Sequence, residues 1–179
     1  WVDALQNRDQ LMIVGPPGIG KTALAHRVAE LAGADCLVSH PAMEEPPHIM
    51  GYPKPEGDHA VHVPFGIRYK VLHATRPTMW LIDDFGQAGE TMQKDYMQVI
   101  HGGKFNGHTI PDCVTKYVAT NDVRQLAGVN GIIEPAKSRL TIVKMEVNVD
   151  DWCVWALDNG MPALLVAFMR SSEAVLDTG

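Results

Sequence analysis

One run of eight residues carries the residue types that bind polyphosphates. It matches the pattern GxxxxGK[ST] without a mismatch, and its members are Gly15, Pro16, Pro17, Gly18, Ile19, Gly20, Lys21 and Thr22. Glycines let backbone N–H groups approach phosphate oxygens, and a following helix adds the positive end of its dipole. Lys21 is then a point charge for the β- and γ-phosphates, and the Thr22 hydroxyl is an oxygen ligand for Mg²⁺. A glycine turn with an exposed lysine is the alternative, which the surrounding strand and helix patterns disfavour.

Two consecutive carboxylates form the second chemical feature. Asp83 and Asp84 follow the apolar residues 79–82. In an open α/β sheet such a strand brings its carboxyl end beside the phosphate-binding loop. Asp83 is predicted to hold Mg²⁺ through water, and Asp84 to orient or deprotonate an attacking water. A strand that ends in a solvated turn would show the same pattern, but the phosphate-binding motif favours the functional interpretation.

Two further polar residues lie beside predicted strands. Asn121 ends the run 117–121 and is a candidate to reach the γ-phosphate or its water, although asparagine also commonly starts a turn. Arg139 precedes the last predicted strand. It is a candidate to place planar positive charge on the transition state in a neighbouring subunit, and an ordinary surface ion pair is the alternative. Spacing alone does not decide between the two roles of Arg139.

The elements that position these residues alternate between strands and helices, which indicates βαβ units and a parallel sheet. The predicted strands are 10–14, 35–39, 78–83, 115–120 and 140–147. The predicted helices are 21–32, 66–75, 88–101, 150–157 and 162–169, with a further one starting at Ser172. Residues 40–66 contain six prolines and three glycines, which predicts loops over the sheet rather than a core element.

The pattern changes near residue 148. We expect an α/β body over residues 1–148 and a helical appendage over 149–179, with Asp150 or Asp151 capping its first helix. Trp152 and Trp155 are expected to pack that helix onto the body. Because the chain begins at Trp1 without a methionine, we expect a trimmed sequence with a truncated appendage.

Composition narrows the classes of protein. The chain has 15 Lys and Arg against 21 Asp and Glu, a formal net charge of -6. This balance argues against a protein that coats nucleic acid, without excluding nucleic acid as a partner. The 3 cysteines are far apart and form no CxxC pair, so we expect neither a disulfide framework nor a cysteine zinc site, but a cytoplasmic location. No apolar run is long enough to cross a membrane.

In this order, the motifs resemble those of an AAA+ ATPase. GPPGIGKT at 15–22 is similar to Walker A, LIDD at 81–84 to Walker B, VATN at 118–121 to sensor 1, and EPAKSRL at 134–140 to the arginine-finger stretch. The resemblance covers nearly the whole chain. It implies an α/β P-loop NTPase sandwich with a five-stranded parallel sheet in the order 5-1-4-3-2, plus a small C-terminal helical lid. It also implies ATP as the nucleotide, Mg²⁺ as the metal, and a homo-oligomer, most commonly a hexameric ring.

Three segments are similar to the MoxR and dynein-related branch, which includes phage ATPases. They are HPAMEEPPHIMGYP at 40–53, the helix and turn at 96–111, and VDDWCVWALDNG at 149–160. This likeness implies remodelling or assembly of a protein partner, for example one with a von Willebrand A domain. Tyr52 and Phe65 are then candidates for contacting a substrate, or for pinning the loop to the body.

Two departures from the family pattern keep alternatives open. Asp84 stands where the family usually has glutamate, which favours an ATP-binding assembly switch with little turnover as a second hypothesis. Arg170 is the candidate for sensor 2, although the usual sequence around that arginine is absent.

A DNA-directed loader is a further alternative. A small-molecule kinase is disfavoured because the region between the fourth and fifth predicted strands offers only Arg124 and Arg139. His59 and His62, near Asp58, are disfavoured as a metal site because they lie in a loop without cysteine.

Overall fold

The computed structural model describes residues 2–121 and 140–171. The strands in this part of the chain are β1 (Leu11–Gly15), β2 (Asp35–Ser39), β3 (Tyr52–Glu56), β4 (His59–Val63), β5 (Thr78–Ile82), β6 (Lys104–Phe105), β7 (His108–Thr109), β8 (Val114–Asn121) and β9 (Thr141–Lys144). The helices are α1 (Val2–Gln6), α2 (Lys21–Leu31), α3 (Pro46–Met50), α4 (Gly66–Leu72), α5 (Glu90–Gly102), α6 (Val149–Asp158) and α7 (Ala163–Ser171). Short 3-10 turns cover Pro41–Met43 and Phe85–Gln87.

Five strands form one parallel sheet in the spatial order β9-β1-β8-β5-β2. Numbered along the chain among themselves, these strands read 5-1-4-3-2, and the predicted order is confirmed. The register places Gly15 opposite Asn121 and Ser39 opposite Ile82. The carboxyl ends of β1, β2, β5 and β8 therefore meet at one edge of the sheet, where an open α/β sheet binds its ligands.

Helices cover both faces of this sheet. Successive side chains along a strand point to opposite faces, so each strand contributes to two cores. One core joins α4 and α5 to the sheet and includes Met12, Val71, Trp80, Tyr96 and Val118. The other joins α1 and α2 to the opposite face and includes Leu5, Ile13, Val28, Leu81 and Tyr117. Burial on both faces explains why β5 is apolar along most of its length rather than alternating.

The prediction of loops over residues 40–66 was wrong for part of that segment. β3 and β4 pair antiparallel, with Tyr52 opposite Val63 and Glu56 opposite His59. A two-residue turn joins them, and its first residue, Gly57, has a φ of 64°, as hairpin turns of this length require. The prolines obscured the strand pattern, but an exposed two-stranded ribbon has free edges where a missing N–H is tolerated.

The helices after β9 form their own small cluster. Cys153, Ala156 and Val166 are buried together between α6 and α7. The predicted cap of α6 was wrong, because the Asn148 side chain accepts hydrogen bonds from the first-turn N–H groups at 3.0 and 3.1 Å. The expected packing of Trp155 was also wrong, since that side chain is exposed. In the part of the chain that the structure describes, the longest apolar helical stretch falls short of a membrane span.

Candidate functional site

The predicted phosphate-binding residues form the loop between β1 and α2. Gly18 and Gly20 have φ angles of 78° and 91°, in the left-handed region that favours glycine. A side chain at Gly15 would bring its Cβ within 2.7 Å of the Met145 carbonyl oxygen, so that position requires glycine for a different reason. The Gly20 carbonyl accepts from the N–H of Leu24 at 2.8 Å. Helix α2 therefore begins directly at the loop, with the positive end of its dipole there.

Lys21 is the first residue of α2, and its side chain lies over the loop. Its Nζ donates to the carbonyl oxygens of Gly15 at 3.1 Å and Pro16 at 2.8 Å, and to Oδ1 of Asn121 at 2.7 Å. Burial lowers the pKa of Lys21, while the nearby carboxylates of Asp83 and Asp84 act in the opposite direction. The amine is thus held by oxygen atoms at the centre of the loop.

Thr22 and Asp83 present adjacent oxygen atoms beside the loop. The Thr22 hydroxyl donates to Oδ2 of Asp83 at 2.5 Å. The other oxygen, Oδ1, accepts from the backbone N–H of Asp84 at 2.9 Å, and the Asp83 N–H donates to the Ser39 carbonyl at 2.8 Å. Asp83 is buried, so its carboxylate is fixed from both sides. A hydroxyl and a carboxylate are ligands that Mg²⁺ accepts, and this pair therefore fits the predicted metal.

Asp84 has an unusual backbone and an altered acidity. Its φ of 53° lies in the left-handed region, which is uncommon for a residue other than glycine. Gln87 Nε2 donates to its Oδ1 at 3.2 Å. Burial and the charge of Asp83 raise the pKa of Asp84, while His40 and Lys21 act in the opposite direction. A carboxylate of raised pKa at the end of β5 is suited to accept a proton from water.

Asn121 lies at the end of β8, beside the loop. It is buried, and its side-chain oxygen reaches Lys21 across 100 residues of sequence. Arg139 lies outside the described residues. Arg170 is on α7, where it donates to Asp150 at 2.7 Å in an exposed ion pair, so the structure joins it to α6 and gives it no contact with the loop.

One cleft of about 530 Å³ brings most of these residues together. It is lined by Pro17, Gly18, Gly20, Lys21, Thr22, Ala23, Asp83, Asp84, Gln87 and Asn121. Its volume is in the range of sites that bind small molecules. Loop backbone, one amine, one hydroxyl and two carboxylates in one cleft can bind a polyphosphate with its metal and place water beside it.

The sequence interpretation missed two residues beside Asp84. Gln87 donates a hydrogen bond to its carboxylate, and the charge of His40 lowers its pKa. His40 directly follows β2, so its position after a predicted strand was the signal that would have placed it at the same sheet edge. Gln87 has no comparable signal, because the 3-10 turn that contains it is visible only in the structure.

The aromatic residues at the base of the hairpin contact each other. The Phe65 ring lies 4.5 Å from that of Tyr52 and 5.4 Å from that of His48, between centroids. Tyr52 is exposed, and its role as a substrate contact remains a prediction. His59 pairs with Asp58 at 3.1 Å on the surface. Over residues 2–121 and 140–171, no three His, Cys, Asp or Glu side chains lie together as metal ligands would.

Short segments of the sequence are similar to segments of known proteins. A 50-residue segment is 42% identical to the Holliday junction branch migration complex subunit RuvB of Treponema pallidum, covering 27% of this chain and 14% of that protein. A 44-residue segment is 48% identical to RuvB of Synechococcus sp. strain CC9605, covering 24% and 13%. No known family model matches the chain.

Solved structures extend the likeness to most of the fold. The RuvB Holliday junction branch migration motor of Thermotoga maritima superposes with a TM-score of 0.55 and 16% identity, over 85% of this chain and 44% of that one. A point mutant of the same RuvB superposes with a TM-score of 0.60 and 19% identity, over 86% of this chain and 45% of that one. The chain has an α/β P-loop NTPase fold, like that of these RuvB structures. It spans less than half the length of these RuvB structures.

Proposed function

We propose that this chain is an Mg²⁺-dependent ATPase module. The observation that carries the proposal is the meeting of Lys21, Thr22, Asp83 and Asp84 in one cleft around a glycine-rich loop. Polyphosphate binding needs the loop and the amine, metal binding needs the oxygen pair, and hydrolysis needs a base. The RuvB-like fold supports the same conclusion.

Each side chain has a distinct role in this proposal. Loop N–H groups and Lys21 Nζ bind the phosphates, and Thr22 and Asp83 would hold Mg²⁺, which would supply positive charge beside them. Asp84 accepts the proton of a water whose oxygen attacks the γ-phosphorus. The bond from that phosphorus to the β-phosphate oxygen breaks, and ADP leaves with the electron pair. Asn121, at the loop beside Lys21, orients the γ-phosphate or the water.

The metal role of Thr22 predicts a specific defect. Thr22→Val removes the hydroxyl with little change in volume, and we expect the Mg²⁺ concentration for half-maximal ATP turnover to rise about 10-fold or more. Thr22→Ser retains the hydroxyl and should remain within about twofold of the native requirement. Magnesium titration of the steady-state rate measures both. Equal requirements for the valine and native proteins would remove Thr22 from the metal site.

We further propose that the active form is a ring of identical subunits, with Arg139 of one completing the site of the next. Residues 149–179 would act as the lid, with Arg170 as the sensor 2 candidate. The AAA+ resemblance supports the ring and the lid, and the hexamer is the commonest ring of that class.

Concentration dependence tests the ring. Specific ATPase activity should rise with protein concentration, and Arg139→Ala should abolish that rise without weakening ATP binding, because a finger acts on the neighbour's transition state. Arg27→Ala is a matched control, since Arg27 forms an exposed ion pair within α2. Turnover that is brisk and independent of concentration would argue against a shared site.

The partner is proposed to be a protein, as the likeness to the MoxR branch implies. The exposed hairpin of β3 and β4 and the net charge of -6 support a protein partner over a polyanion. The likeness to RuvB favours a second candidate, a DNA-directed motor. Duplex DNA that binds in a salt-sensitive manner and stimulates turnover would favour the second candidate; turnover indifferent to DNA would favour the first.

A further inference from the structure

A buried arginine lies beside the cleft without taking part in it. Arg68, on α4, is 3% exposed. It donates through NH1 to Oγ of Ser39 at 2.7 Å, and through NH2 to Oε2 of Glu44 at 2.8 Å and to the Tyr96 hydroxyl. The Tyr96 hydroxyl donates to the same Glu44 oxygen at 2.6 Å. Arg68, Ser39, Glu44, Tyr96 and Trp80 are called the Arg68 cluster below.

Aromatic rings enclose the guanidinium. Its central carbon lies 4.8 Å from the Trp80 ring centroid and 4.6 Å from that of Tyr96, close enough for cation–π attraction. A buried ion pair contributes little net stability, whereas loss of one partner is strongly unfavourable. The cluster is therefore better suited to holding its elements in one arrangement than to adding stability. Those elements are β2, β5, α4, α5 and the 3-10 turn before Glu44.

Ser39 connects this cluster to the catalytic carboxylates. Its Oγ accepts from Arg68 and from Trp80 Nε1, the latter at 2.9 Å. Its carbonyl accepts from the Asp83 N–H at 2.8 Å. The next residue, His40, is the one whose charge acts on Asp84. Ser39 therefore hydrogen-bonds both to the Arg68 guanidinium and to the backbone N–H of Asp83.

Glu44 connects the cluster to the exposed hairpin. It lies between the 3-10 turn Pro41–Met43 and α3, which leads into β3. The hairpin base is tightly packed, because a Cβ at Gly51 would lie 2.8 Å from the Val63 carbonyl. The Phe65 ring contacts both Tyr52 of β3 and His48 of α3, so the hairpin packs against the helix that follows Glu44.

We propose that Arg68 is a positioning residue that couples the hairpin segment 44–63 to Asp83 and Asp84. The expected effect on ATP turnover rests on the proposed ATPase function. The coupling between the hairpin segment and Asp83 does not depend on that function. A displacement of the hairpin would act on Asp83 through Glu44, Arg68 and Ser39, while Arg68 itself does not line the cleft.

Hydrogen exchange of the Asp83 amide tests the coupling without reference to turnover. Arg68→Lys keeps the charge but loses the planar fork, and Tyr96→Phe removes one hydroxyl and keeps the ring. We expect Asp83 amide exchange to be about 10-fold faster in both variants. Val28→Ala is the control, because it weakens the core on the opposite face. Exchange no faster than in Val28→Ala would overturn the coupling.

Turnover provides the second readout. For Arg68→Lys and Tyr96→Phe we expect kcat to fall about 10-fold, while ATP affinity stays within about twofold of native. Faster exchange with native kcat would overturn the positioning role. If the native chain hydrolyses no ATP but the Asp83 amide still responds, the coupling stands and the proposed ATPase function fails.

Discussion

Replacing Lys21 with alanine is expected to lower kcat/KM for Mg²⁺–ATP about a thousandfold. The Lys21 amine lies among the loop oxygens, with its Nζ 2.8 Å from the Pro16 carbonyl and 2.7 Å from Oδ1 of Asn121. Lys21 is buried, and a charge on a buried side chain acts more strongly on phosphate than one in water because the effective dielectric is lower. Steady-state turnover and titration with a fluorescent ATP analogue measure the effect.

A matched lysine serves as the control. The Lys94 side chain is 63% exposed and pairs with Glu90 one turn away on α5, so Lys94→Ala should leave kcat/KM within about twofold. Thermal unfolding of both variants separates lost binding from lost structure, since Lys21 also holds Asn121. Native ATP affinity in folded Lys21→Ala would refute the assignment of the loop as a phosphate site.

Replacing Asp84 with asparagine is expected to lower kcat about a thousandfold while ATP affinity stays within about threefold. Asparagine retains the shape and the left-handed backbone tolerance of Asp84, but it cannot accept a proton from water. Equal kcat for the two proteins would exclude Asp84 as the base. Loss of affinity would instead indicate a binding role.

The pH dependence of kcat is a second test of Asp84 as the base. Because burial and Asp83 raise the pKa of Asp84, its protonated form persists to higher pH than is usual for aspartate. The fall in kcat on acidification should therefore begin at higher pH than an ordinary aspartate would give, and Asp84→Asn should lack that limb.

Asp84→Glu separates a motor from a switch. Glutamate is the usual residue at this position in the AAA+ proteins that the sequence resembles. Its carboxylate reaches one methylene further than that of Asp84. If native turnover is slow and Asp84→Glu accelerates it, ATP acts chiefly as an assembly switch. If native turnover is already brisk and the glutamate leaves it unchanged, the switch hypothesis loses its basis.

Much of the fold followed from patterns that are local in the chain. The apolar strand before Gly15 and the helix after Gly20 were predictable because the motif itself dictates a strand, a tight loop and a helix. The strand order came from the resemblance. Asp83 and Asp84 could be placed beside the loop because parallel strands end at one edge of an open sheet.

Other features were beyond the sequence patterns. Proline-rich residues 52–63 were expected to be loops, because proline breaks interior strands, yet an exposed ribbon tolerates it. Asn148 was missed as the cap of α6 because Asp150 and Asp151, two and three residues later, have equally good capping side chains. The exposure of the ribbon decided the first case, and the residue at which the helix begins decided the second.

The sequence alone thus determined the chemistry of the loop from Gly15 to Thr22 and the edge at which Asp83 and Asp84 lie. Only the tertiary structure decided that Lys21 meets Asn121, that His40 acts on Asp84, and that Arg68 pairs with Glu44. Motif and strand rules are local and depend on backbone geometry. Pairings between distant side chains depend on how helices and loops pack over the sheet, and no spacing in the chain encodes them.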